Sequence, residues 1–253
     1  MLKKVKIIVT ILHLIKNWPI YFLTYFKLLN KKHVRYTLRN GTKYKIRPQT
    51  PDFGTILEVW AQHIYTPKNF SLNDTDIVVD IGAHIGVFSV FAAKHVHRGK
   101  IYSFEPIPEN FQLLKENITI NKIKNIIPFN TAISSKKQEQ ELFVSEKSPG
   151  VGSLHYKKGK GQHLVVSSIT LKDFVSKTGI SHIDFLKIDC EGSEYDILFS
   201  CPTTILQRIK KISMEYHELD NLPPVTTLIN FLEQQGFKVT TNPTTHALYA
   251  LNK

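Results

Sequence analysis

A chain of 253 residues with 42% hydrophobic content can bury one α/β domain with an extension, or two small domains, and it carries no repeat or low-complexity tract. Two cysteines, Cys190 and Cys201, exclude a disulfide framework and a cysteine-based metal cluster and fit a reducing compartment. The net charge of +12 is lopsided: residues 1–51 hold twelve Lys and Arg and no Asp or Glu, so the remainder of the chain is neutral.

Residues 5–15 are mostly apolar, interrupted by Lys6 and His13, and residues 18–29 are aromatic-rich, with Pro19 and Lys27. Neither run reaches the ~20 apolar residues of a membrane-spanning helix. Met-Leu-Lys-Lys before an apolar run is also how a secretory signal begins, but no small-residue cleavage site follows. Two readings of residues 1–30 stay open: a segment lying on an anionic membrane surface, or helices packed on the domain with solvated lysines. A nucleic-acid-binding arm is a third, which the many large apolar residues oppose. The expected location is the cytoplasm, at the inner face of the membrane if the segment binds lipid.

Asn40-Gly41 between residues 34–38 and 42–46 predicts a hairpin, since both turn residues tolerate positive φ. A helix is expected over 53–64, with Ile56, Leu57, Trp60 and Ile64 on one face. Strand 76–81, helix 85–96, strand 100–105, helix 108–120 and strand 126–130 follow. Short strands at 140–144 and 163–168 flank a Gly-, Ser- and Lys-rich loop over 145–161. Helix 170–178, strand 183–188, helix 193–199, strand 210–216, helix 224–235 and a strand pair near 237–241 and 246–251 complete the chain. This alternation predicts a doubly wound, Rossmann-like α/β fold, with a seven-stranded, mostly parallel sheet and one antiparallel strand in the terminal pair. Ligands of such sheets bind at the carboxyl ends of the strands, near the switch in strand order, where Asp80, Glu105 and Asp189 all fall.

The most informative segment is Val79-Asp80-Ile81-Gly82-Ala83-His84-Ile85-Gly86, a strand running into a glycine turn and then a helix. Glu105 ends the next strand, near the spacing at which a carboxylate takes a ribose diol. The pattern belongs to a nucleoside-containing cofactor, but the glycines are spaced Gly-x-x-x-Gly, and His84 stands where a dinucleotide site needs its second glycine. An acidic residue before the turn repels phosphate and suits an amino-acid moiety. S-adenosylmethionine has that moiety, a ribose and no phosphate.

These residues carry a resemblance to the FkbM family of class I S-adenosylmethionine-dependent methyltransferases. The matching blocks are Val79 to Ser89, Phe104-Glu105-Pro106 with Asn110, Asn130-x-Ala132-Ile133, Phe185-Leu186-Lys187-Ile188-Asp189-Cys190-Glu191-Gly192-Ser193-Glu194, and Glu215-Tyr216-His217. His84 departs from the Asn common in the family but keeps a polar side chain. The resemblance covers roughly residues 52–220 and leaves the basic segment unexplained. The charge asymmetry sets a basic extension over 1–51, an apolar and aromatic segment with the hairpin, apart from a methyltransferase domain over 52–253, and the resemblance implies a cofactor site built from Asp80, Gly82, His84, Gly86, Glu105, Pro106, Asn130 and Ala132.

Methyl transfer to a hydroxyl needs an in-line approach and profits from a base to take the proton. Asp189 and His217 are the candidate bases. The structural alternatives are that Asp189 caps the following helix or orients the cofactor's amino group, and that His217 is a hydrogen-bonded structural residue. Asp189, Glu191 and Glu194 form a possible Mg²⁺ trio, yet acidic residues at a helix start also suit its macrodipole, and that reading is preferred. The family implies O-methylation of a small molecule, glycan or saccharide. No Asn-Pro-Pro-Tyr or Asp-Pro-Pro-Tyr segment, the mark of amino-methylating enzymes, is present. Loop 145–161 can close over an acceptor, with Gly150, Gly152, Ser153, His155, Tyr156, Lys157, Lys158 and Lys160, or be merely solvated. The alternatives are an RNA methyltransferase recruited by the basic arm and a non-catalytic cofactor-binding scaffold at a membrane surface.

Overall fold

The computed structural model of the chain describes residues 2–29, 31–145, 150, 152–154, 160–219 and 222–252. Two helices, α1 (Leu2–Leu14) and α2 (Pro19–Tyr25), precede the hairpin of β1 (Val34–Thr37) and β2 (Lys43–Ile46). Helix α3 (Asp52–Trp60) stops before the expected residue 64, because His63 turns to a φ of +52° that a helix cannot continue through. Then follow β3 (Ile77–Ile81), α4 (Val87–Ala93), β4 (Lys100–Phe104), α5 (Pro108–Ile120) and β5 (Ile126–Phe129). A polar stretch forms β6 (Ala132–Ile133), β7 (Gln138–Ser145), β8 (Gly152–Ser153) and β9 (Gly161–Ile169). The chain closes with α6 (Leu171–Thr178), β10 (Ile183–Ile188), α7 (Glu194–Phe199), α8 (Thr203–Leu206), β11 (Ile209–Glu215), α9 (Val225–Gln234), β12 (Phe237–Asn242) and β13 (Ala247–Asn252).

The main sheet has seven strands in the order β12-β13-β11-β10-β3-β4-β5. Only the two pairings made by β13 are antiparallel, so the expected single antiparallel strand is the last one. Every residue of β10 is buried, and β3 is buried from its second residue onward, as parallel strands covered on both faces must be. Alternate side chains feed two cores. Val78 joins the core under α3, α4 and α5, while Val79 joins that under α6, α7, α8 and α9. The four remaining strands form a separate sheet, β6-β9-β7-β8, in which the strands expected near 140–144 and 163–168 pair antiparallel with each other.

The hairpin is docked by two asparagines one helical turn apart on α5. Asn117 Oδ1 accepts from Lys45 N (2.7 Å), and its Nδ2 donates to Lys45 O (3.1 Å) and Ile85 O (2.8 Å). Asn121 repeats the pattern at Lys43, with bonds of 2.9 and 2.7 Å. Side chains at i and i+4 thereby act as a third strand along an otherwise open edge. Asn117→Ala strands a buried amide and two carbonyls, and is expected to lower stability by about 2 kcal/mol in urea unfolding. An unchanged midpoint would mean that packing alone holds the hairpin.

Candidate active site

Strand order switches between β3 and β10, and there the chain opens a cavity of ≈ 240 Å³ at the carboxyl ends of the strands. Asp189 N donates to Ile81 O (3.1 Å), which draws the two strand ends together. Gly82 has φ +75°, and a Cβ there would lie 1.8 Å from Asp189 O. Its glycine is demanded by neighbouring backbone. Gly86, with φ +85°, heads α4 against Leu114 and lies off the cavity wall. His84 also has positive φ, +53°, a conformation that Asn and His tolerate better than most side chains.

Asp80 does not face the cavity. It is fully buried beneath the turn, in a polar row that the sheet register sets up: Lys187 and Ser103 are its neighbours on β10 and β4. Lys187 Nζ lies 3.2 Å from Asp80 Oδ1 and donates to Gly82 O (2.7 Å), while Ser89 Oγ donates to Asp80 Oδ2 (2.5 Å). Lys187 also stands 3.6 Å from Asp189 Oδ2 and 5.1 Å from the centre of the Tyr65 ring. Burial pushes its pKa down, but Asp80 and Asp189 more than offset this and raise it above the ordinary lysine value.

Glu105 follows β4 and lines the cavity with only 4% exposure. Its Oε2 accepts from His84 N (2.7 Å), and its Oε1 accepts from Ile107 N (2.9 Å) and Asn110 Nδ2 (3.2 Å). Burial raises its pKa, and these donors and His84 offset part of the rise. Asn130 donates to Glu105 O (2.9 Å) and Pro106 O (3.0 Å), so it fixes this backbone from outside the wall, whereas Pro106 and Ala132 line it. Behind His84, Nε2 lies 3.0 Å from Arg47 Nη2 and 3.2 Å from Asp52 Oδ1. Arg47 forks onto the buried Asp52, whose pKa burial would raise but His84 and Arg47 together hold far below the carboxylate range. The end of the hairpin therefore buttresses the glycine turn.

Opposite the turn stands an acidic wall. Asp189 Oδ2 accepts from Tyr65 OH (2.8 Å); burial pushes its pKa up, but Lys187, His217 and that hydrogen bond bring it below normal. His217 lies outside the lining residues, clamped with Nδ1 2.9 Å from Glu194 Oε1 and Nε2 3.5 Å from Glu191 Oε2. Burial would lower its pKa, yet the hydrogen bond and charge of Glu194, with Glu191 and Asp189, raise it to about 10. His217 is thus an imidazolium at neutral pH. Burial raises Glu191 to about 7 and Glu215 to about 8, with further repulsion from Asp189. Glu194 Oε1 also accepts from Cys190 N (3.0 Å) and so turns inward to brace the loop. Ligand atoms of Asp189, Glu191 and His217 lie within 4.8 Å of one another, so the metal-capable trio contains His217 in place of Glu194.

Several of these groups escaped the sequence reading. Lys187 did not: its signal, a lone lysine in the apolar run Phe185-Leu186-Lys187-Ile188, reads as support for the local fold or a carboxylate, and it pairs with Asp80 and Asp189. Arg47, Asp52, Glu58 and Tyr65 gave none, because they reach the site from elements whose docking is tertiary. Of loop 145–161, Gly150, Gly152 and Leu154 line the cavity, while His155, Tyr156, Lys157 and Lys158 lie outside the described residues.

The wall tests the cofactor. Glu58, Glu105, Asp189, Glu191 and Glu215 line the cavity against one lysine, Lys187, already committed to Asp80 and Asp189. Ile81, Phe104, Ile107, Ile133 and Leu142 supply an apolar side. A surplus of half-buried and buried acidic groups fits a cationic ligand with an apolar base and opposes a phosphate-bearing one.

The family model of the methyltransferase FkbM domain matches residues 80–239. The chain is 25% identical over 213 residues to methyltransferase sdnD of Sordaria araneosa, covering 72% of this chain and 81% of that protein. It is 22% identical to the 31-O-demethyl-FK506 methyltransferase FkbM of Streptomyces tacrolimicus, covering 72% and 80%. To the hexuronic acid methyltransferase AglP of Haloferax volcanii it is 24% identical, covering 62% of each. With the glycine turn, Glu105 and the acidic wall in one cavity, the chain belongs to the FkbM family and is an S-adenosylmethionine-dependent methyltransferase.

Proposed function

We propose that the enzyme methylates a hydroxyl group of a saccharide or glycan, or of a related small molecule. The observation that carries this is the acidic wall facing the glycine turn, which holds a carboxylate, Glu191, with a pKa of about 7, suited to taking a proton from a hydroxyl. The names of two relatives, a 31-O-demethyl-FK506 methyltransferase and a hexuronic acid methyltransferase, support oxygen as the acceptor atom and a sugar as one kind of acceptor.

When bound, S-adenosylmethionine supplies a methyl group on a sulfonium, ready for in-line displacement. Glu105 is the residue for its ribose hydroxyls, the turn at His84 and the backbone of Pro106 flank it, and Ala132 and Ile133 offer an apolar surface for the base. The carboxylate of Asp189, held ionised by Lys187 and Tyr65, suits its positive centres. Asp80 and Gly86 act on the cofactor indirectly, by fixing the turn. Glu191 accepts the hydroxyl proton, and His217, already protonated, holds Glu191 in position and stabilises its ionised form. Asp189, the other candidate base, is the weaker proton acceptor because Lys187 and Tyr65 hold its negative charge.

Calorimetric titration with S-adenosylmethionine tests the cofactor site. Glu105→Ala is expected to weaken binding by roughly ten- to a hundredfold, the range for lost hydrogen bonds to a charged group. Equal affinity in a folded Glu105→Ala variant would remove the carboxylate from the site. Transfer of labelled methyl to oligosaccharides containing uronic acids, compared with RNA, tests the acceptor class. Labelling of RNA alone would overturn the glycan reading.

A further inference from the structure

Nine of the thirteen large apolar side chains exposed among the described residues fall between Val5 and Leu28. On α1 they include Ile7, Ile8 and Val9; at the end of α2 and just beyond it, Tyr25 and Phe26 are each 63% exposed and Leu28 is 72% exposed. Soluble surfaces scatter such residues singly, and a contiguous run of them marks a binding face. Lys6, Lys16, Lys27, Lys31 and Lys32 are exposed beside them, and residues 1–51 contain no acidic side chain. The segment is also held firmly. Ile11 and Ile15 are fully buried, Lys16 N donates to Thr37 O (2.7 Å), and the Arg39 guanidinium donates twice to Leu12 O (3.0 and 2.8 Å). One half of α1 is thus built into the hairpin layer, while the other half offers apolar residues to the outside.

We propose that α1 and the end of α2 form a monotopic docking face for an anionic lipid surface. Charge and apolarity select this occupant. A nucleic acid has no use for exposed Ile, Val and Leu, and a protein partner of no special charge has no use for a face without acidic groups, whereas an interfacial segment needs both signals together. No helix among the described residues is long and apolar enough to cross a membrane, so the face lies on the surface. The docking layer adjoins the cavity: Tyr21 packs on Phe53 of α3 at 4.8 Å, and Thr55 and Glu58 of the same helix line the wall. Docked lipid would therefore lie beside the route to the site, whatever the acceptor proves to be.

The test is sedimentation of the full chain with vesicles of phosphatidylcholine alone or mixed equally with phosphatidylglycerol. Binding is expected only to the anionic vesicles. It should fall at least about tenfold in Lys27→Glu/Lys31→Glu/Lys32→Glu and again in Tyr25→Ser/Phe26→Ser/Leu28→Ser, since either signal alone binds marginally. None of these side chains is buried or on the cavity wall, so unchanged thermal melting and S-adenosylmethionine titration serve as fold controls that do not depend on lipid. Three results would overturn the proposal: no association with anionic vesicles, association unaltered by both variants, or a dimer by light scattering that the apolar variant dissolves.

Discussion

Replacing Lys187 by methionine is expected to destabilise the protein by about 3–5 kcal/mol, the range for breaking a buried ion pair from one side. The volume is nearly kept, so what is lost is charge. Asp80 has no exposed surface, and without Lys187 its Oδ1 keeps no cationic neighbour within the buried row of Ser89 and Ser103. The carbonyl of Gly82 loses its donor as well, directly under the cofactor turn. The sign of the pH dependence follows. In the wild type the pKa of Lys187 is raised, so its contribution is complete below the unfolded lysine value and is lost only as pH rises through the still higher folded one. The gap between wild type and variant in urea unfolding should therefore persist at neutral pH and narrow only in strong alkali, as Lys187 loses its proton. Asp80→Asn/Lys187→Met should be more stable than Lys187→Met alone, because the orphaned charge is gone. A double variant no better than the single one would show that Lys187 acts by packing.

The same row marks the limit of what the residues disclose by themselves. The seven strands and their direction were legible because buried parallel strands are short, mostly apolar runs alternating with helices, as in Ile183–Ile188 and Ile77–Ile81. Of the small second sheet, only the strands near 140–144 and 163–168 were. Strand β7 opens Gln-Glu-Gln-Glu with almost no apolar alternation, and β6 and β8 have two residues each. The candidate site was legible at strand ends, since topology brings them together, and Glu105 and Asp189 do line one cavity. Asp80 ends its strand as well, but its side chain points into the sheet layer, where Lys187 and Ser103 stand in register. One residue's alternation separates a ligand-facing carboxylate from a buried one, and periodicity in a fully buried strand does not record it. Nor can sequence assign His217 its charge, which depends on Glu194 and Glu191 meeting it in space.

That charge shapes the second large effect. Glu191→Gln is expected to lower kcat by roughly 10²–10⁴-fold, the usual contribution of a positioned base. The pH profile separates this role from a structural one. Burial holds Glu191 at about 7, so activity should rise as pH passes through that value and the carboxylate ionises. His217 stays protonated until about 10, so its support for Glu191 is withdrawn only on the alkaline side. The expected profile is a bell with limbs set by the coupled pair and not by either residue alone. Glutamine keeps the shape of the side chain but cannot ionise, so the acidic limb should vanish while affinity for S-adenosylmethionine changes little. His217→Gln should keep the acidic limb, moved upward in pH because Glu191 has lost its cationic neighbour, and should lose the alkaline one. A Glu191→Gln enzyme that keeps the acidic limb, alongside an Asp189→Asn enzyme that loses it, would transfer the base role to Asp189. The pairing of Asp189 with Lys187 and Tyr65 argues against that result, because a carboxylate already stabilised as an anion has little drive to take a proton from a hydroxyl.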